Sequence, residues 1–252
     1  MKHCPPAGGL DRRNHRIGRE AAGKINGHLD KLGERIGRDS GRGMTGRGAQ
    51  KTRTEMIDEK ISFEFLKAAY FGYYDGCDSY ALAGRRAYLD MCRTIEFPET
   101  GLSRAEAKEY ELKKMELRRR VTGWLREEVR GVAAEEFDAW HESMCERIIA
   151  LYGGEGIGLA YGQAQKWVNM FFKYMCVLEP GAVEPIFDKL HIPIDGIIIG
   201  IAVKNKVFKR PVKAWSRWSK EEYLGYRARI NEYIAQGDWA PIAWEFRVWR
   251  PE

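Results

Sequence analysis

The sequence predicts a mainly α-helical fold: one compact multi-helix domain behind a tail of different character. Three observations predict it. Two capping boxes, Ser103-Arg-Ala-Glu106 and Ser219-Lys-Glu-Glu222, place a hydroxyl and a carboxylate where each satisfies an orphan amide at a helix start. Apolar residues recur every three or four positions, as in Phe137, Trp140, Met144, Ile148 and Leu151, which is the spacing of one helix face. Convincing strands are scarce.

Residues 1–54 form the tail. They hold 13 Lys/Arg, 5 Asp/Glu and eleven glycines, with no aromatic residue. So little large apolar surface cannot offset the entropy of ordering, and disorder is expected. Repeats such as "GRDSGRGMTGRG" suit loose nucleic-acid binding. The alternative is a leader without function, with Met44 or Met56 as the natural start. The domain, residues 55–252, is near neutral, because the chain's net charge of +6 is carried by the tail. A nucleic-acid surface on it must therefore be a local patch.

The elements follow in order. "EKISFEFLKAAYFGYYDG" reads as a helix ending near Gly76, and Ser79 as the cap of the next, "YALAGRRAYLDMCR". Ser103 opens a long charged helix in which Val121, Trp124, Leu125 and Val129 form the buried stripe. The helix beginning near Phe137 stops at Gly153-Gly154. A further helix runs from Tyr161 or Gly162 to Met175, with Trp167, Met170, Phe171, Tyr174 and Met175 on its buried face and Lys166, Asn169 and Lys173 in a polar row beside it. "HIPIDGIIIGIAV" is either a strand or a buried helix that Asp195 caps. Ser219 opens a helix that Gly237 closes. The final "PIAWEFRVWRPE" reads as a short strand or an extended arm. Six to eight helices are expected in all.

No stretch is long enough to span a bilayer and no secretory signal is visible. Five scattered cysteines without C-x-x-C spacing suggest free thiols in a reducing cytoplasm. They offer no zinc or iron–sulfur pattern, so neither metal nor cofactor is expected. H-E-x-x-H, G-x-S-x-G and P-loop patterns are missing from the sequence.

The chemistry-bearing stretch is "YGGEGIGLAYGQAQKWVNM" followed by "HIPIDGIII". Glycines leading into a helix N-terminus leave backbone amides that can hold a phosphate. A lysine one turn into such a helix stands beside the bound backbone, and a nucleophilic amine requires such a setting. Lys173, two turns further in, is too far along the helix for that role.

Hairpin glycines, a lysine opening an apolar helix, then apolar-Pro-apolar-Asp leading another helix: this order resembles the helix-hairpin-helix DNA glycosylases, which include endonuclease III and the 8-oxoguanine DNA glycosylases. The resemblance covers about residues 135–205. It implies that Lys166 attacks the sugar C1′ and forms a Schiff base, and that Asp195 stabilises the cationic sugar and helps activate the nucleophile. It implies that Gly156, Gly158 and Gly162 form the DNA-binding hairpin. The chain departs from the pattern in its spacing: Gly158 stands eight residues before Lys166 and Gly162 four, where the family usually places the lysine two after the second glycine. The endonuclease III cysteine cluster is missing from the sequence.

Around this pair, Gln163 and Gln165 are candidates for a base edge or a hairpin phosphate, or are exposed helix-start residues. His191 is a candidate for DNA contact or a packed loop histidine. Trp215 and Trp218 in "WSRWSK" are candidates for stacking an extruded base, with core packing the alternative. His141 and Cys145 suggest a Cys–His pair with no third group to orient it. The expected function is a DNA glycosylase with AP-lyase activity, a monomer in the cytoplasm acting on DNA away from membranes. The alternative is a non-catalytic nucleic-acid-binding, immunity or regulatory module on the same helical scaffold.

Overall fold

A computed structural model of the protein describes residues 58–97 and 103–249; the glycine- and arginine-rich segment 1–54, with its expected disorder, lies outside them. The described residues form eight α-helices joined by loops and short 3-10 turns, with no strand among them: α1 (Glu59–Phe71), α2 (Ser79–Met91), α3 (Arg104–Glu128), α4 (Phe137–Gly153), α5 (Tyr161–Leu178), α6 (Gly196–Lys204), α7 (Lys220–Ala235) and α8 (Pro241–Val248). None of these helices is long and apolar enough to cross a membrane.

Both capping boxes form. Ser103 and Ser219 accept from the amides of Glu106 and Glu222, and each glutamate side chain accepts from the cap amide at 2.7 Å. Elsewhere the helix ends differ from expectation. α1 stops at Phe71, because Gly72 takes a left-handed conformation (φ 74°) and its amide turns back to Ala68 and Lys67. α2 is capped by Asp78, whose carboxylate accepts from Tyr80 and Ala81. Ser79 is then the first helical residue. α8 is a helix, not the short strand or extended arm expected of the final segment. Pro241 sits in its first turn, where proline's missing N–H costs nothing.

α5 runs through the centre of the domain, with α2 and α4 against it. Tyr88 of α2 and Tyr152 of α4 meet the Trp167 ring at 5.1 and 6.1 Å between centroids. Phe137 of α4 lies edge-on to Phe172 at 5.3 Å. Val121 and Leu125 of α3, and Val129 in the 3-10 turn after it, are buried as expected, whereas Trp124 is half-exposed. Every residue of α5 from Tyr161 to Met175 is buried. A helix enclosed on all sides needs partners for each polar side chain it carries, and this requirement builds the site.

Candidate functional site

The polar row of α5, Lys166, Asn169 and Lys173, is buried rather than solvated. These positions share one face of the helix, and each meets a different part of the chain. Lys166 Nζ lies 2.5 Å from Asp195 Oδ2. Asn169 Oδ1 accepts from His141 Nε2 at 2.8 Å, and its Nδ2 donates to the Ile192 carbonyl at 3.0 Å. Lys173 Nζ lies 2.7 Å from Glu245 Oε1 on α8.

Asp195 is delivered to Lys166 by an extended segment without a sheet partner. Gln165 Nε2 donates to the Ile194 carbonyl at 3.1 Å, as Asn169 does to that of Ile192. Two amides one turn apart on α5 thus hold alternate carbonyls of His191–Asp195, in the manner of a sheet edge. Asp195 then caps α6. Its Oδ1 accepts from the amides of Ile197 and Ile198 at 2.9 and 3.1 Å, and its Oδ2 faces Lys166. Capping and ion pairing use different oxygens, so one carboxylate serves both. The pair is enclosed, at 6% side-chain exposure for Lys166 and 15% for Asp195, but Ile197 at its edge stands open to solvent.

The two ion pairs are neighbours. The Glu245 carboxyl is pushed above its ordinary range, chiefly by burial. Lys173 and Lys166 oppose that shift and Asp195 adds to it. Glu245 Oε2 is buried with no hydrogen-bond partner among the described residues. The Lys173 ammonium also lies over the Trp249 ring, 4.4 Å from its centroid. Nothing in sequence reasoning singled out Glu245. The signal was available only by reading 241–248 as a helix, where Ile242 and Glu245 share a face and an acid replaces an apolar residue.

The other expected site residues take varied places. Gln165 is fully enclosed, with both amide hydrogens used inside the fold, on Ile194 and on the Gly162 carbonyl at 2.9 Å. It positions the aspartate and faces no strand. Gln163 completes a cap-like bridge: its Oε1 accepts from Ala160 N at 2.8 Å and its Nε2 donates to the Thr94 carbonyl at 2.6 Å. Gly156 supplies a positive φ of 71°. Gly162 is a packing glycine, since a Cβ there would fall 1.8 Å from the Trp215 carbonyl oxygen. Its amide donates to the Trp218 carbonyl at 3.1 Å, so it is not free for a phosphate. Trp218 is fully buried, stacked on Tyr226 at 4.4 Å, with its indole N–H on the Lys213 carbonyl. That is a core position, without a face for an extruded base. Trp215 is half-buried. Gly158 and Gln163 line an open cavity of about 850 Å³ at the start of α5, together with Arg93, Arg217, Thr94 and Ser216.

His191 is turned inward. Its Nε2 lies 2.5 Å from Asp138 Oδ1, and its Nδ1 lies 3.2 Å from the Tyr223 hydroxyl. The Tyr223 hydroxyl lies 3.2 Å from Asn169 Nδ2, which closes a buried network with His141. Cys145 lies 3.9 Å from His141, and burial pushes its thiol far above the ordinary range, so the pair is not an activated thiolate. Burial depresses the pKa of both histidines, and for His141 the nearby His191 adds to the effect. A depressed histidine contributes stability above its unfolded value, near 6.5, and loses it as pH falls. Thermal midpoints should therefore drop as pH is lowered from 6.5, and His141→Gln should flatten that slope. The hydrogen bond from His191 holds Asp138 far below the usual carboxylate range, so its contribution is lost only in strong acid.

Comparison with family models, with curated proteins and with solved structures gave no match to this chain.

Proposed function

We propose that this protein is a base-excision enzyme acting on DNA, with Lys166 as nucleophile and Asp195 as its electrostatic partner. The observation that carries the reading is the 2.5 Å approach of two groups 29 residues apart, one on the first turns of a central helix and the other heading the next. Support comes from the cavity at the start of α5, where Arg93 offers a cation to a phosphate backbone and Arg217 a second one, shared with Glu96 at 3.6 Å.

In this reading the strand lies along that cavity and the damaged nucleotide reaches Lys166 past the edge of α6. An attacking amine needs a free lone pair, so the ion pair parts and Lys166 gives up a proton to solvent, leaving Asp195 ionised. A bond forms between Nζ and the sugar C1′. The glycosidic bond breaks, and the base leaves with its electron pair and takes up a proton. Asp195, already anchored by two α6 amides, offsets the positive charge that develops on the sugar. Opening of the sugar ring gives the imine, which permits β-elimination of the 3′ phosphate.

Borohydride trapping on duplexes carrying 8-oxoguanine, uracil or an abasic site tests the reading. A crosslink is expected with at least one of them. It should vanish in Lys166→Gln and fall by roughly 10²-fold or more in Asp195→Asn, the scale of losing one preorganised charge-stabilising group. No crosslink with any substrate, or an unchanged one in Lys166→Gln, rejects it. The enclosure of the pair favours a second reading, a non-catalytic nucleic-acid-binding or regulatory module in which Lys166–Asp195 only fixes the register of the chain. Salt-dependent DNA binding without crosslinking selects that reading.

A further inference from the structure

Away from α5, a concentration of positive charge lies in the groove between α2 and α3. This groove, of about 480 Å³, is lined by Arg85 of α2 and by Arg118, Arg119 and Arg126 of α3, with Thr122 and Gly123 between them and two acids, Asp78 and Glu127. The helix period explains the lining. Positions 78, 81 and 85 form one row of α2, and 118, 122 and 126 one row of α3.

The two ends of the groove differ. Asp78, the α2 cap, binds Arg126 at 2.6 Å, so the start of α2 lies against the end of α3 and the acids are gathered there. Two turns back along α3, the Arg118 guanidinium sits over the Tyr88 ring, 5.7 Å from its centroid. Arg119 is engaged by Glu116 at 2.7 Å through both nitrogens. Arg85 and Arg118 have no ion pair or hydrogen bond among the described residues. A guanidinium resting on an aromatic face keeps its N–H fork in plane and free for an anion. The domain is near neutral, yet two unpaired arginines share one groove. An anionic occupant would supply the counter-charge that the groove does not give them.

We propose that the α2–α3 groove is a backbone-binding site for a nucleic-acid strand, with Arg85 and Arg118 each pairing a phosphate. The proposal rests on the reading that the partner is a nucleic acid, but not on any chemistry at Lys166. Guanidinium forks match phosphate oxygens bidentately. Asp78 and Glu127 repel the strand at the far end and so set where contact stops. Phosphate contact of this kind positions a strand and carries no sequence information.

The test uses the full chain, a labelled DNA duplex and its single strand, with affinity read by anisotropy across a salt series. In Arg85→Gln/Arg118→Gln the slope of log K against log salt should shrink by roughly two on duplex DNA, about 0.9 for each lost phosphate contact. Affinity should fall at least about tenfold, the scale of losing charge-assisted hydrogen bonds. Both side chains lie on the surface of the groove, and a thermal melt confirms that the variant folds. Arg85→Glu/Arg118→Glu should weaken binding further. Unchanged slope and affinity in both variants overturn the proposal. So does a wild-type chain that binds no nucleic acid, or one that binds an acidic or phosphorylated peptide through these arginines instead. Crosslinking with arginine-independent binding discards the groove and keeps the excision chemistry. Groove-dependent binding without crosslinking does the reverse.

Discussion

Lys173→Ala should cost the fold about 3–5 kcal/mol, the scale of breaking a buried ion pair from one side, read as a lowered urea midpoint. The substitution leaves the Glu245 carboxylate, 1% exposed, with neither oxygen paired. Paired replacement, Lys173→Met with Glu245→Leu, should recover most of the loss, because apolar residues of similar volume remove both desolvation penalties. The pH dependence follows from the raised pKa of Glu245. Well below the ordinary carboxyl range the group is protonated in both states and the penalty vanishes. As pH rises through the raised folded value, the protein must ionise a buried group and stability falls. Without Lys173 the upward shift grows, so the variant's deficit should narrow as the solution is acidified. The Lys173 ammonium also lies 5.5 Å from the Phe246 ring centroid, so a double variant as unstable as the single one would show that the loss comes from lost packing on Trp249 and Phe246 and not from an uncompensated charge.

Gly162→Ala is the second large effect. The added methyl would overlap the Trp215 carbonyl oxygen, which is backbone and cannot swing aside. The 215–218 turn must move, straining the Gly162–Trp218 hydrogen bond and the stacking of Trp218 on Tyr226. The cost should reach or exceed the upper end of the ~1–3 kcal/mol usual for overpacking. Gly158→Ala provides the contrast. A Cβ there meets nothing within 4 Å, so its midpoint should stay within about 0.5 kcal/mol of wild type. Melting curves of the two variants separate a packing glycine from an open one, although both fall in the same glycine-rich stretch.

Much of the helical framework is legible in the sequence because its signals are local. Each capping box needs only four consecutive residues, and Asp195 before an apolar run is visible as a cap. Two adjacent cap formers, Asp78 and Ser79, are not separable by propensity, so the α2 boundary needs coordinates. α8 is hidden because "WEFRV" within it alternates apolar and polar residues like a strand, and only its packing on the 184–189 turn and α7, with Glu245 reaching Lys173, decides between the periods. The polar row of α5 shows the deeper limit. Spacing places Lys166, Asn169 and Lys173 on one face but cannot say whether that face is wet. Their partners come from Asp195, His141 and Glu245, distant positions that no periodicity relates. The order of glycines, lysine and aspartate therefore suggests a site, while its enclosure and its second ion pair emerge only from the fold.

The grip of Gln165 and Asn169 on the carbonyls of Ile194 and Ile192 works as a ruler laid along the chain. Successive residues of an extended segment point to opposite sides, so adding or deleting one residue beyond Ile192 would present the wrong side to Lys166. The carboxylate would swing away while every ionisable group in the protein was still present. The Lys166–Asp195 contact thus depends on a count of peptide units, kept by two uncharged side chains that take no part in the ion pair.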